Sequence, residues 1–169
     1  LVLLVLPFIA RALGPVALGH IGLAQTIGLL IIVSLEYGFS ITALRGIASN
    51  QNDNIKKQRL VSKVLSFKVY LIPIVILFTF IIILLNPIFF KQPELIVITM
   101  LGAICQSFVP SWYFQGIENF KQLAVVKIIF RVLAFCTALI IVKTPSDGWL
   151  FLMVQASSSF FIAVVLLFL

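Results

Sequence analysis

The stretch LAVVKIIFRVLAFCTALIIV, residues 123–142, carries two cations in an otherwise apolar run. A helix that began after Arg131 would leave only Val132 to Val142 to cross a bilayer, short of the roughly 17-residue minimum. Arg131 must therefore lie inside the membrane, near the middle of its helix. A charge there costs at least about 2.5–3.5 kcal/mol if it faces lipid, so it belongs on an internal polar surface. Lys127 stands four residues earlier, on the same helical face. Two cations on one internal face suit an anionic ligand. The competing reading lets both side chains snorkel to the headgroups. Glu36, in SLEYGFS, is a third charge inside an apolar run. Two roles fit it: an ion pair with a cation such as Arg131, or a site for a proton or coupling ion.

No catalytic constellation accompanies these residues, and the chain reads as a non-enzyme. The five acids, Glu36, Asp53, Glu94, Glu118 and Asp147, are scattered over both sides and the interior. Paired carboxylates, a nucleophile elbow, a phosphate-cradling glycine loop and metal-ligand spacing are all missing from the pattern. Cys105 and Cys136 lie in apolar runs and read as packing residues, with no Cys/His spacing for zinc. His20 reads as a solvated or interfacial histidine. No cofactor or metal is expected.

The elements that must position Arg131 and Glu36 are membrane helices. Of 169 residues, 62% are hydrophobic and 10% charged, against about 25% charged in an ordinary soluble domain. Mean hydropathy is +1.23. Five full apolar runs and one truncated run follow one another: Leu1–Ala12, then Gly19–Leu44, Ser66–Leu85, Leu95–Phe114, Leu123–Val142 and Trp149–Leu169. Each full run has about the 20 residues a membrane helix needs. The pattern predicts an all-α polytopic bundle of about six transmembrane helices. Alternation over ten-residue segments is absent, which excludes a membrane barrel.

The connections are short. Gly14-Pro15 breaks the first two runs, and SNQNDNIKKQR is either a loop or an amphipathic surface helix. KTPSDG reads as a tight turn. Pro73 and Pro110 predict kinks. The chain starts at Leu1 without a basic leader and both ends cut through apolar runs, which predicts one domain over 1–169, truncated at both ends.

The formal charge of +7 would suggest nucleic acid in a soluble protein, but here it reports topology. Connections two-to-three and four-to-five, with their flanks, hold Arg45, Lys56, Lys57, Arg59, Lys63, Lys68, Lys121, Lys127 and Arg131, nine of the twelve basic residues. The opposite side holds Arg11, Lys91 and Lys143, the remaining three. The loops around Lys56 and Lys121 should be cytoplasmic.

A polar knot, PSWYFQGIENFK, separates the fourth and fifth runs, counting the truncated one as the first. It resembles a signature of bacterial Wzx-type O-antigen flippases, the polysaccharide-biosynthesis branch of the multidrug/oligosaccharidyl-lipid/polysaccharide exporter superfamily. That signature reads P-x-W-[FY]-F-Q-G-[IL]-E-x-[MF]-K, and Pro110, Trp112, Tyr113, Phe114, Gln115, Gly116, Ile117, Glu118, Phe120 and Lys121 fit it. PFIARALGPVALG is similar to the family's first-helix end, through Pro7, Arg11, Leu13, Gly14, Pro15 and Gly19, with Leu18 where an aromatic is usual. LEYGFSITALRGIAS resembles its second-helix motif, through Gly38, Phe39, Thr42, Ala43, Arg45 and Ala48, with Glu36 where Asp is frequent.

The resemblance implies the N-terminal lobe of a two-lobe exporter in the bacterial inner membrane. Its substrate would be an undecaprenyl-diphosphate-linked oligosaccharide, flipped to the periplasmic leaflet for O-antigen or another surface polysaccharide by alternating access. Arg131 and Lys127 would serve as cavity cations, with Arg11 and Arg45 nearer the two mouths. Glu36 would pair with a cation or carry H+ or Na+. Partners would be the lipid-linked oligosaccharide, membrane lipid and the C-terminal lobe, and no nucleic acid. The knot residues read as mainly structural: Trp112 and Tyr113 in the interfacial belt, Gly116 at a sharp turn, Glu118 paired with Lys121, and Gln115 in possible reach of a sugar. The alternative is a proton- or sodium-coupled small-molecule exporter of the same superfamily.

Overall fold

The computed structural model describes residues 2–36, 38–50, 53–144 and 147–168; for 2–7, 9 and 39 it describes the backbone alone. Eight helices follow one another among the described residues: α1 (Val2–Glu36), α2 (Phe39–Ser49), α3 (Asn54–Leu85), α4 (Pro87–Lys91), α5 (Pro93–Ser107), α6 (Ser111–Gly116), α7 (Phe120–Ile141) and α8 (Gly148–Phe168). Among the described residues, five segments are long and apolar enough to cross a membrane: Ala10–Glu36, Asn54–Leu85, Pro93–Gly116, Phe120–Ile141 and Gly148–Phe168. The chain is a multi-pass membrane helix bundle.

Local chemistry sets the boundaries. Asp53 caps α3 by accepting from the Lys56 backbone N–H at 3.1 Å, and the Lys56 ammonium pairs with the same carboxylate at 3.2 Å. Asn86 caps α4 by accepting from the Ile88 N–H at 3.0 Å, and Pro87 and Pro93 open α4 and α5, where a missing N–H costs nothing. At the α7–α8 turn the Asp147 carboxylate accepts from the Lys143 and Thr144 N–H groups at 3.1 and 2.8 Å. Pro145 and Ser146 of the expected KTPSDG turn lie outside the described residues.

Residues 2–36 are two helical segments that meet at a kink at Gly14 (φ 74°, ψ 170°), where the Gly14-Pro15 break is expected. Two other boundaries differ from the sequence expectation. The run expected over Gly19–Leu44 divides at Gly38, whose φ of 74° is left-handed and ends α1 at Glu36. The polar stretch before Ser66 is neither a loop nor a separate surface helix; from Asn54 it is the first part of α3. Asp53 supplies a start signal that allows the helix to extend well before its apolar part.

Packing centres on α5, which lies against α1, α3, α4 and α8, while α7 packs mainly on α8. A side chain at Gly102 would put its Cβ 3.0 Å from the Ala156 Cβ and 3.2 Å from its Cα, so α5 and α8 touch nearly backbone to backbone. Much of the outward surface of α3 and α7 is large and apolar, including Tyr70, Ile74, Leu77, Ile128, Leu133 and Ile140, as lipid contact requires. The short helices α2 and α6 pack together with α3 at one end, through Ala43, Ile47, Val64 and Trp112. At the other end Leu13, Ile21, Phe89, Leu95, Val142 and Leu152 form a second core.

Candidate functional site

A cavity of about 400 Å³ opens between α1, α5 and α8, with one side chain supplied by α7. Six polar residues line it: Gln25, Thr99, Gln106, Arg131, Gln155 and Ser159. On each packed helix the lining positions recur at three- and four-residue steps, as one helical face requires: 25, 28, 29 and 32 on α1, 98, 99, 102, 103 and 106 on α5, and 152, 155, 156 and 159 on α8. The small residues Gly28, Gly102 and Ala156 keep the lining shallow.

Two of the polar groups are satisfied within their own helices. Thr99 donates to the Leu95 carbonyl at 2.7 Å and Ser159 to the Gln155 carbonyl at 3.1 Å. Gln25 Nε2 donates to Gln155 Oε1 at 2.9 Å, joining α1 to α8. Gln106 Oε1 is buried and has no hydrogen-bond partner among the described residues. Arg131, mid-way along α7, has no hydrogen bond or ion pair among the described residues. A guanidinium offers five donors in a planar fork. The cavity therefore presents an uncommitted cation and an uncommitted acceptor, well inside their spans.

A second polar group collects where the helices break. The path from α5 to α6 is interrupted over Phe108–Pro110, and Pro110 contributes no N–H. Lys68 of α3, only 2% exposed, donates to the Ser107 carbonyl on one side of the break. Lys127 of α7 donates to Ser111 Oγ at 3.0 Å on the other. Glu36 ends α1, where a carboxylate opposes the helix dipole. It lies within electrostatic reach of both lysines, and Lys127 in turn feels Arg131. One acid on α1 thus faces two lysines, Lys68 on α3 and Lys127 on α7.

The residues expected from the sequence separate accordingly. Arg131 lines the cavity, and Lys127 stands beside it at the helix break. Glu36 is near Lys68 and Lys127, without a contact under 4 Å to Arg131 among the described residues. Arg11 and Arg45 are exposed and do not line this cavity. Lys68, counted from the sequence as a loop flank, is an internal residue, because α3 begins fourteen residues earlier, at Asn54. Gln25, Gln106 and Gln155 were not singled out. Their signal was present, as amides at helical spacing inside apolar runs.

Residues 1–169 match the family described as polysaccharide biosynthesis protein. The chain belongs to the polysaccharide biosynthesis protein family. It is also 30% identical over 165 residues to a protein of Escherichia coli (strain K12) named "Putative O-antigen transporter". That alignment covers 98% of this chain and 40% of the relative, so the chain spans well under half the relative's length. No solved structure matches. Membership agrees with the family resemblance read from the three motifs.

Placed in the fold, the polysaccharide biosynthesis knot has a different internal logic from that expected. Trp112 and Phe114 are 4% and 2% exposed, so the tryptophan packs inside the protein rather than in an interfacial belt. Trp112 meets Ala43, Ile47 and Val64, whereas Phe114 packs with Val109, Leu123 and Ile162. Gly116 is not the turn residue. A Cβ there would lie 2.7 Å from Ile47 Cγ2 and 3.3 Å from the Leu44 carbonyl, so it admits α2 against α6. The turn falls on Glu118, at φ 59°, which precedes α7 and makes no ion pair with Lys121. Gln115 is exposed and away from the cavity, and Pro110 occupies the N-cap of α6.

Proposed function

We propose that this chain forms one lobe of an exporter that flips undecaprenyl-diphosphate-linked oligosaccharide across the bacterial inner membrane. The observation that carries the reading is Arg131, a cation on the cavity wall with no hydrogen bond or ion pair among the described residues. Family membership and a relative named for O-antigen transport support the substrate class. In this reading the guanidinium receives phosphate oxygens through two parallel bonds in a low-dielectric site, where the attraction is strong. Lys127 adds positive potential at the helix break, and Glu36 limits the charge that accumulates when the site is empty. Alternating access would expose the cavity to each leaflet in turn, the cavity lying near the middle of the spans as transporter sites do.

Arg131→Ala should abolish flipping in vesicles or cells while the protein still inserts and accumulates. Charge-assisted hydrogen bonds contribute about 1.5–3 kcal/mol each, so losing the fork removes one to several orders of magnitude in affinity. Arg131→Lys should keep part of the activity, because the charge stays and the fork is lost. Since Glu36 makes no direct contact with Arg131, neutralising both should not restore flipping. A rescued double mutant would exclude a ligand role for Arg131.

A further inference from the structure

The geometry points to a neutral, hydroxyl-bearing sugar ring, the one nearest the diphosphate, as the group that fills the amide-lined part of this cavity beside Arg131. The inference rests on the flippase reading and deepens it. Its basis is the balance of unmet donors and acceptors. The Gln25–Gln155 bond engages one N–H of the Gln25 amino group and the Gln155 carbonyl. Gln25 Oε1 and Gln155 Nε2 are left without a protein partner among the described residues, and Gln106 Oε1 is buried without one. The lining thus offers two amide acceptors, the amino groups of Gln106 and Gln155 and the guanidinium, and it contains no carboxylate.

A diphosphate at neutral pH brings acceptors almost exclusively. It can satisfy Arg131 and the Gln155 amino group, but it repels the Gln25 and Gln106 carbonyls. A sugar ring supplies hydroxyls, each of which donates once and accepts besides. It therefore completes both amide acceptors while the phosphate stays on the guanidinium. The apolar walls, Leu29, Ile32, Ile98 and Leu152, suit the C–H faces of the ring. At about 400 Å³ the space lies at the small end of the range for small-molecule pockets, about 300–1,000 Å³. One ring and its phosphate match that size better than a whole oligosaccharide, whose further sugars would lie outside.

The test compares ligands on the intact transporter in lipid nanodiscs. The probes are undecaprenyl diphosphate without sugar, and the same lipid carrying one glucose, galactose or N-acetylglucosamine. Wild type should bind at least one sugar-bearing lipid more tightly than the bare lipid. Gln106→Leu should weaken that sugar-bearing lipid by about 2- to 12-fold, the scale of one neutral hydrogen bond, and leave the bare lipid unchanged. Retained affinity for the bare lipid also shows that the variant is folded; Gln106→Met provides a second variant of similar volume should leucine fail to fold. Arg131→Ala should weaken every probe. Equal binding of bare and sugar-bearing lipids by wild type, or equal loss of both in Gln106→Leu, would overturn the sugar subsite alone. Failure of wild type to bind any of the four probes would overturn the flippase reading and the subsite with it.

Discussion

A lysine 2% exposed inside a membrane span persists only where its charge is met. Lys68 meets the Ser107 carbonyl and the field of Glu36. Removing one partner of a buried charged set leaves the others uncompensated, at a cost of about 3–5 kcal/mol. Lys68→Ala should therefore lower the thermal unfolding temperature in detergent, and adding Glu36→Gln should recover part of the loss. An unchanged unfolding temperature in the single variant would remove Lys68 from the polar group. Legibility at this scale depended on position. Arg131 was legible because too few apolar residues follow it to cross a bilayer alone. Lys68 was not, because hydropathy began its run at Ser66 and set the lysine at the edge; α3 actually begins at Asn54, roughly 21 Å of helix earlier. The glutamines offend no hydropathy rule, and only the packing of α1, α5 and α8 makes them converge.

Helix ends at the two surfaces are held by carboxylates whose proton affinity follows from their contacts. The Lys56 backbone N–H, followed by its side chain, keeps Asp53 below the usual carboxylate range. The Thr144 and then the Lys143 N–H groups do the same for Asp147. A carboxyl with lowered affinity in the folded state stabilises that state above its unfolded value, about 3.9. The contribution is lost as pH falls through the lower folded value. Hydrogen exchange at Lys56, Lys143 and Thr144 should accordingly accelerate relative to the intrinsic rate below about pH 4, and Asp147→Ala should remove the pH dependence at 143 and 144 alone. A flat protection profile from pH 6 to pH 3 would contradict this. Caps and proline starts of this kind were readable from residue type. The division of the second run was not, because residues 19–44 stay apolar across Gly38 and the interruption is a backbone conformation, not a change in polarity.

Across the whole molecule, the short helices α2 and α6 share one end and the α1 kink, α4 and the α7–α8 turn share the other. This is the alternation that successive spans require, and the basic residues follow it. With Lys68, Lys127 and Arg131 recognised as internal, the bias between the ends falls from nine against three to six against three, since nine less three is six. The direction survives, so the Lys56 end should face the cytoplasm. A cysteine at Gln58, which is exposed, should resist an impermeant maleimide in intact cells and react after lysis. Labelling in intact cells would invert the lobe. The five long spans were legible because each full apolar run has bilayer length, whereas the truncated run ahead of Gly14 forms no separate span-length segment among the described residues. The site was legible only where a charge broke the run.

The contact between Gly102 and Ala156 serves two roles at once, because both residues line the cavity while setting how closely α5 and α8 approach. The size of the chamber and the grip between these helices are therefore one variable. A bulkier residue at either position would narrow the space and also wedge its walls apart. Adapting such a lobe to a wider or slimmer cargo then requires paired exchanges, one position gaining volume as its neighbour sheds it. Across relatives that carry different glycans, positions 102 and 156 should drift together in opposite directions of size, while the lipid-facing residues of α7 wander independently.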